Sequence, residues 1–141
     1  MAVRSLLRTL VWTVALAACA APAATEPAGA TCDQFASTPS IAQSRTIESG
    51  TELTVVLCSN PTTGFAWGDP EIGDTAVLQL VDRAYRAPEG SSLPIAGAAG
   101  GEILTIQGLA AGTTTLSIGY GQPWAGGVQD EWTYVLSVTV Q

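Results

Sequence analysis

The chain has 141 residues, with 12 acidic residues, 5 arginines, no lysine and no histidine. Without histidine it can build no Ser-His-Asp triad, Cys-His pair or His-bearing zinc site, and three cysteines are too few for a four-thiolate one. Without lysine there is no Schiff base or P-loop, and a net charge of −7 opposes nucleic-acid binding. A hydrophobic fraction of 47% with only 12% charged residues indicates a folded chain, and the length suits one domain. A non-enzymatic domain with no cofactor and no metal is expected.

Residues 1–18 read as a signal peptide. Arg4 and Arg8 precede an apolar run over residues 10–18, too short to span a bilayer as a helix. The run ends in Leu16, Ala17, Ala18 and Cys19, which resembles a bacterial lipobox and marks Cys19 for lipidation. Ala20 after the cysteine resembles Gram-negative lipoproteins of the outer membrane, facing the periplasm or the cell surface. Cleavage removes two arginines and no acid, so the net charge moves from −7 to −9. Residues 19–31, rich in Ala and Pro, lack apolar periodicity and read as a disordered tether that reaches roughly 40 Å when extended.

Cys32 and Cys58 remain. They are either a disulfide or two buried thiols. Export to an oxidising compartment favours the bond, which would close a loop of about 25 residues and contribute about 3 kcal/mol.

Residues 32–141 carry short alternating runs rather than helical periodicity. A weak strand over residues 42–47 comes first. Leu53, Val55 and Leu57 share a face in the next, then Phe65 and Trp67. A run over residues 76–85 alternates less cleanly. Leu104 and Ile106 follow, then Leu116, Ile118 and Tyr120, and finally Trp132, Tyr134, Leu136, Val138 and Val140. The pattern predicts an all-β, immunoglobulin-like β-sandwich of six to eight antiparallel strands.

In that sandwich three loops share one end: residues 59–65 (B–C), 93–101 (D–E) and 121–128 (F–G). All three lack charge, and no charged residue occurs between Ile103 and Gln129. A neutral tip enters a dry cleft without the cost of desolvating ions. Asn60, Pro61 and Gly64 suit a stiff turn, which limits the entropy lost on binding. Trp124, behind Pro123 in a Gly-rich loop, is either folded onto the core or presented as an anchor. Trp67 and Trp132 read as core.

The segment SNPTTGFAW at residues 59–67 resembles the signature loop of chagasin-type inhibitors of papain-like cysteine proteases. GAAGG at 97–101, AAGT at 110–113 and YGQPW at 120–124 follow in the family's order. The resemblance implies reversible, tight-binding occlusion of a papain-like cysteine protease by the three loops. Asn60, Pro61, Thr62, Thr63, Gly64 and Phe65 would enter the catalytic centre, with Thr63 nearest the thiolate. Trp124, with Gln122 and Pro123, would pack on the primed side, and Gly97, Gly100 and Gly101 on the other. One departure is Gln122, where the family usually has arginine. Glutamine keeps hydrogen-bonding capacity without the charge or rigid fork. The competing expectation is an immunoglobulin-like binding or assembly module without protease inhibition. An enzyme would need an all-acid site, and only Asp130 and Glu131 lie at the edge of the loops. A monomer that binds membrane through Cys19 and no nucleic acid is expected.

Overall fold

The computed structural model describes residues 25–141; the signal peptide, Cys19 and most of the tether lie outside the described residues. Ten regular elements follow in order: β1 (Ala28–Ala30), α1 (Cys32–Ser37), β2 (Ser40–Ile47), β3 (Glu52–Ser59), β4 (Ala66–Trp67), β5 (Glu71–Ile72), β6 (Leu78–Arg86), β7 (Gly100–Gly108), β8 (Gly112–Gly121) and β9 (Trp132–Val140). They form two sheets, β1-β3-β7-β6 and β2-β9-β8-β4, with β5 also paired to β8. This is the all-β, immunoglobulin-like sandwich expected from the alternation.

The core follows from period-2 patterning. Leu53, Val55 and Leu57 of β3 and Leu104 and Ile106 of β7 face Leu116, Ile118 and Tyr120 of β8 and Tyr134, Leu136 and Val138 of β9, all buried. Trp67 is buried as expected, its Nε1 donating to the Cys58 carbonyl at 2.8 Å. In β6 the uneven alternation reflects a bulge between Leu80 and Asp82, which leaves Leu80 and Val81 exposed.

Three features differ from the expectation. Two of the strand pairs are parallel, β1 with β3 and β2 with β9, and the short β1 and β5 bring the strands to nine. The sheet also begins at Ala28, inside the segment read as tether. Ala28 and Ala30 are buried, and Gly29 lies so close to β3 that a Cβ there would fall 1.9 Å from the Val56 carbonyl oxygen. Gln43 of β2 fastens the strand, its Nε2 donating to the Gly29 carbonyl and its Oε1 accepting from the Gly29 N–H. The Tyr134 hydroxyl donates to the same Oε1 at 2.9 Å. Burial pushes the Tyr134 phenol up to about 12, with Arg45 and the Gly29 backbone opposing the rise.

The third difference is α1, unmarked by any apolar period. Thr31 and Gln34 form a capping box at its start. Its Phe35 is fully buried. Cys32 and Cys58 are bonded, their Cα atoms 5.1 Å apart, so the pair is a disulfide rather than two free thiols.

Candidate functional site

Strand register alone brings the three loops together. Ser59 at the end of β3 pairs with Gly100 at the start of β7, and Arg86 at the end of β6 pairs with Gly101. In the other sheet Gly121 at the end of β8 pairs with Ala66, and Tyr120 pairs with Trp132. Residues 60–65, 87–99 and 122–131 therefore emerge from one end of the sandwich. Two contacts confirm their adjacency. The Gly97 N–H donates to Thr62 Oγ1 at 3.2 Å, and the rim of the Trp124 indole lies 3.0 Å from where a Gly64 Cβ would stand.

The B–C loop is a single 3₁₀ turn, Pro61–Thr63, capped at both ends. Asn60 Oδ1 accepts from the Thr62 N–H at 3.3 Å and from the Thr62 hydroxyl at 2.7 Å. The Asn60 carbonyl accepts from the Thr63 hydroxyl at 2.7 Å and from the Thr63 N–H at 3.2 Å. Gly64 closes the turn with φ 81°, in the left-handed region that favours glycine, and its N–H donates to Pro61 O. Pro61, Thr62 and Thr63 form the exposed tip. Phe65 is half-buried and stacks on Tyr120 at 5.8 Å between ring centres.

Support for this loop comes from beneath. The Tyr120 hydroxyl accepts from the Asn60 N–H at 3.0 Å. The Trp67 Nε1–Cys58 bond ties the strands on either side of the loop. Arg83 of β6, paired with Glu102, donates to the carbonyls of Trp67 at 2.7 Å and Gly68 at 2.9 Å, which fixes the exit strand. Tyr120 and Arg83 are positioning residues that the sequence reading did not assign. The alternation placed Tyr120 correctly on the core face, but not its hydroxyl under Asn60.

Residues of the other two loops divide. Gly97 is exposed at the D–E tip, beside Leu93 at 70% exposure and Ile95 at 46%. Gly100 and Gly101 belong to β7 rather than to the loop; Gly101 is buried, and Gly100 packs against Tyr85. They shape the loop's foot. In the F–G loop Trp124 is 51% exposed and Pro123 is exposed. Trp124 leans one edge on Gly64 of the B–C loop, not on the core, and leaves about half its surface open. Gln122 turns inward, its Oε1 accepting from the Val128 N–H at 2.9 Å and its own N–H donating to Val128 O. Its side-chain oxygen thereby helps to close the loop.

The fold and this end together define an immunoglobulin-like domain that displays three adjacent loops with uncharged tips at residues 60–65, 93–99 and 122–128, the central one locked by its own hydrogen bonds. A profile described as Chagasin family peptidase inhibitor I42 matches residues 46–138, and the chain belongs to that family. Members of the family inhibit peptidases and are not themselves enzymes. Among relatives, chagasin of Trypanosoma cruzi is 34% identical over 88 residues, spanning 60% of this chain and 77% of its own. The cysteine protease inhibitor EhICP2 of Entamoeba histolytica shares the fold, with a TM-score of 0.61 at 24% identity over 81% of this chain and 95% of its own. Amebosin aligns with a TM-score of 0.50 at 25% identity, over 82% of this chain and 99% of its own. PbICP-C, solved in complex with falcipain-2, aligns with a TM-score of 0.57 at 15% identity, over 81% and 99%.

Proposed function

We propose that the chain inhibits papain-like cysteine proteases by reversible occlusion, with residues 60–65 in the catalytic cleft, Trp124 on one side and the Gly97 segment on the other. The observation that carries this is the locked turn. Asn60 accepts hydrogen bonds from Thr62 and Thr63, and Pro61 accepts one from Gly64, so the turn is held back from the extended form of a cleavable substrate. A nucleophile meeting such a turn finds no carbonyl held in a near-attack geometry. The loop thus fills the cleft and survives. Because the turn is already ordered before binding, little entropy is lost on docking. Loop tips without charge, at residues 60–65, 93–99 and 122–128, avoid ion desolvation in the cleft.

The test is titration of active papain with residues 25–141. The fragment starts at residue 25 because β1 is part of the sheet. Stoichiometric inhibition at or below micromolar concentration, with the fragment recovered uncut, supports the reading. Full papain activity at that concentration refutes it.

The export reading extends the proposal. The signal over residues 1–18 is cleaved, Cys19 is acylated, and a monomeric domain is held at the outer membrane, facing periplasm or surface. Incorporation of labelled palmitate that disappears in Cys19→Ala is the expected result; equal labelling of both refutes it.

A further inference from the structure

The family-matched segment starts at residue 46, so β1, α1 and most of β2 precede it. This leading segment nonetheless reaches the inhibitory end. β1 runs parallel to β3 toward the loops, α1 follows, and β2 then leads away beside β9 from Ser40, opposite Thr133. α1 therefore sits at the loop end of the sandwich.

Two separate lines run from α1 to the B–C loop. The first is aromatic. Phe35 stacks on Trp132 at 5.0 Å and 10°, Trp132 on Tyr120 at 4.7 Å and 11°, and Tyr120 on Phe65 at 5.8 Å and 25°. Tyr120 also holds the Asn60 N–H. Trp67 tilts against both Phe35 at 5.4 Å and Tyr120 at 5.0 Å, bracing the stack from the side. The second line is covalent. Cys32, the first residue of α1, is bonded to Cys58, whose carbonyl accepts the Trp67 N–H at the base of the same loop. A six-residue helix is not stable alone in water. The contacts that order α1 are the ones that brace the loop, and coupling of this kind is reciprocal.

We infer that α1 is a positioning element for the inhibitory loop. Phe35 and Cys32, both ahead of the family-matched span, hold residues 60–65 in the shape that docks, Cys32 through its bridge to Cys58. For its binding readout this rests on the inhibition proposed above; its second readout stands alone.

The test uses the exported chain carrying Cys19→Ala, with three further changes made on it: Phe35→Leu, the pair Cys32→Ala and Cys58→Ala, and Val140→Ala at the opposite end as a stability control. Amide exchange at Asn60 and Thr63 and the dissociation rate from papain are measured well below the unfolding temperature. Loop exchange is expected to rise about tenfold in both α1 variants, as it does when a local brace is lost. Dissociation should speed up by a similar factor, while Val140→Ala moves neither. Unchanged exchange at both amides in the α1 variants overturns the inference, as does an equal rise in Val140→Ala. If Phe35→Leu fails to fold, the cysteine pair decides. If the parent chain does not bind papain, the proposed function falls and the exchange readout still decides the role of α1.

Discussion

The B–C and D–E loops stand side by side and are built on opposite plans. The six residues between Ser59 and Ala66 hold three side-chain hydrogen bonds within the turn, a tyrosine hydroxyl beneath and a disulfide at the base. The 13 residues between Arg86 and Gly100 have short local bonds, among them Ser91 to Pro88 and Ala98 to Ile95, and one link to Thr62. They also expose Leu93 and Ile95. A rigid tip limits the entropy lost on docking and gives one shape; a loosely held apolar loop adapts to the shape of its partner. Under the proposed inhibition, this difference suits the first loop to blocking the cleft and the second to selecting among targets.

The largest effect should come where the rigid loop meets its buttress. Trp124→Ala is expected to weaken papain inhibition by about 2 kcal/mol, the scale of a central aromatic anchor, with the melting temperature nearly unchanged. Loss of folding instead would make Trp124 a core residue. Next come two glycines in the same left-handed conformation, φ 81° at Gly64 and 77° at Gly97. Both alanine variants carry about 1 kcal/mol of backbone strain. Only at Gly64 does the new methyl also press on Trp124, so Gly64→Ala should lose distinctly more inhibition. Equal losses would erase the contrast between the loops. Tyr120→Phe removes the hydroxyl under Asn60 and should cost about 1 kcal/mol of binding, measured as a faster off-rate. Leu93→Ala with Ile95→Ala should leave stability within about 0.5 kcal/mol. That double variant should reorder affinities across a panel of papain-like proteases, and parallel shifts would deny the D–E loop its selective role. The smallest effect at the loops is expected from alkali. The folded Tyr134 phenol titrates near 12 rather than 10, so stability should hold below pH 10 and fall between 10 and 12. Tyr134→Phe should flatten that fall in thermal melts.

Much of the sandwich was legible because half-buried strands write their faces into the sequence. Leu53, Val55 and Leu57 are as buried as their alternation requires, and so are Tyr134, Leu136 and Val138. The register that gathers the loops follows from those strands. What escaped had no periodic signal. Ala-Gly-Ala in β1 is too small to look apolar, yet smallness is what lets Gly29 press against the Val56 backbone. α1 spans under two turns and carries one buried ring, too short for any period to show; the Thr31-x-x-Gln34 capping box was its only local mark. At Gln122 the sequence shows hydrogen-bonding capacity; that its Oε1 accepts from the Val128 N–H depends on the fold of the whole F–G loop, which spacing does not reveal.

The direction of β1 has a mechanical consequence. Because it runs parallel to β3, its N-terminal end points away from the three loops. Under the proposed anchoring at Cys19, the leash would join the domain at the end far from the loops. Tension on such a leash would load β1 lengthwise, so the backbone bonds to β3 would resist together in shear instead of peeling singly. Should β1 give way, the bridge at Cys32 stops the unravelling four residues after Ala28 and passes the load to Cys58 in β3.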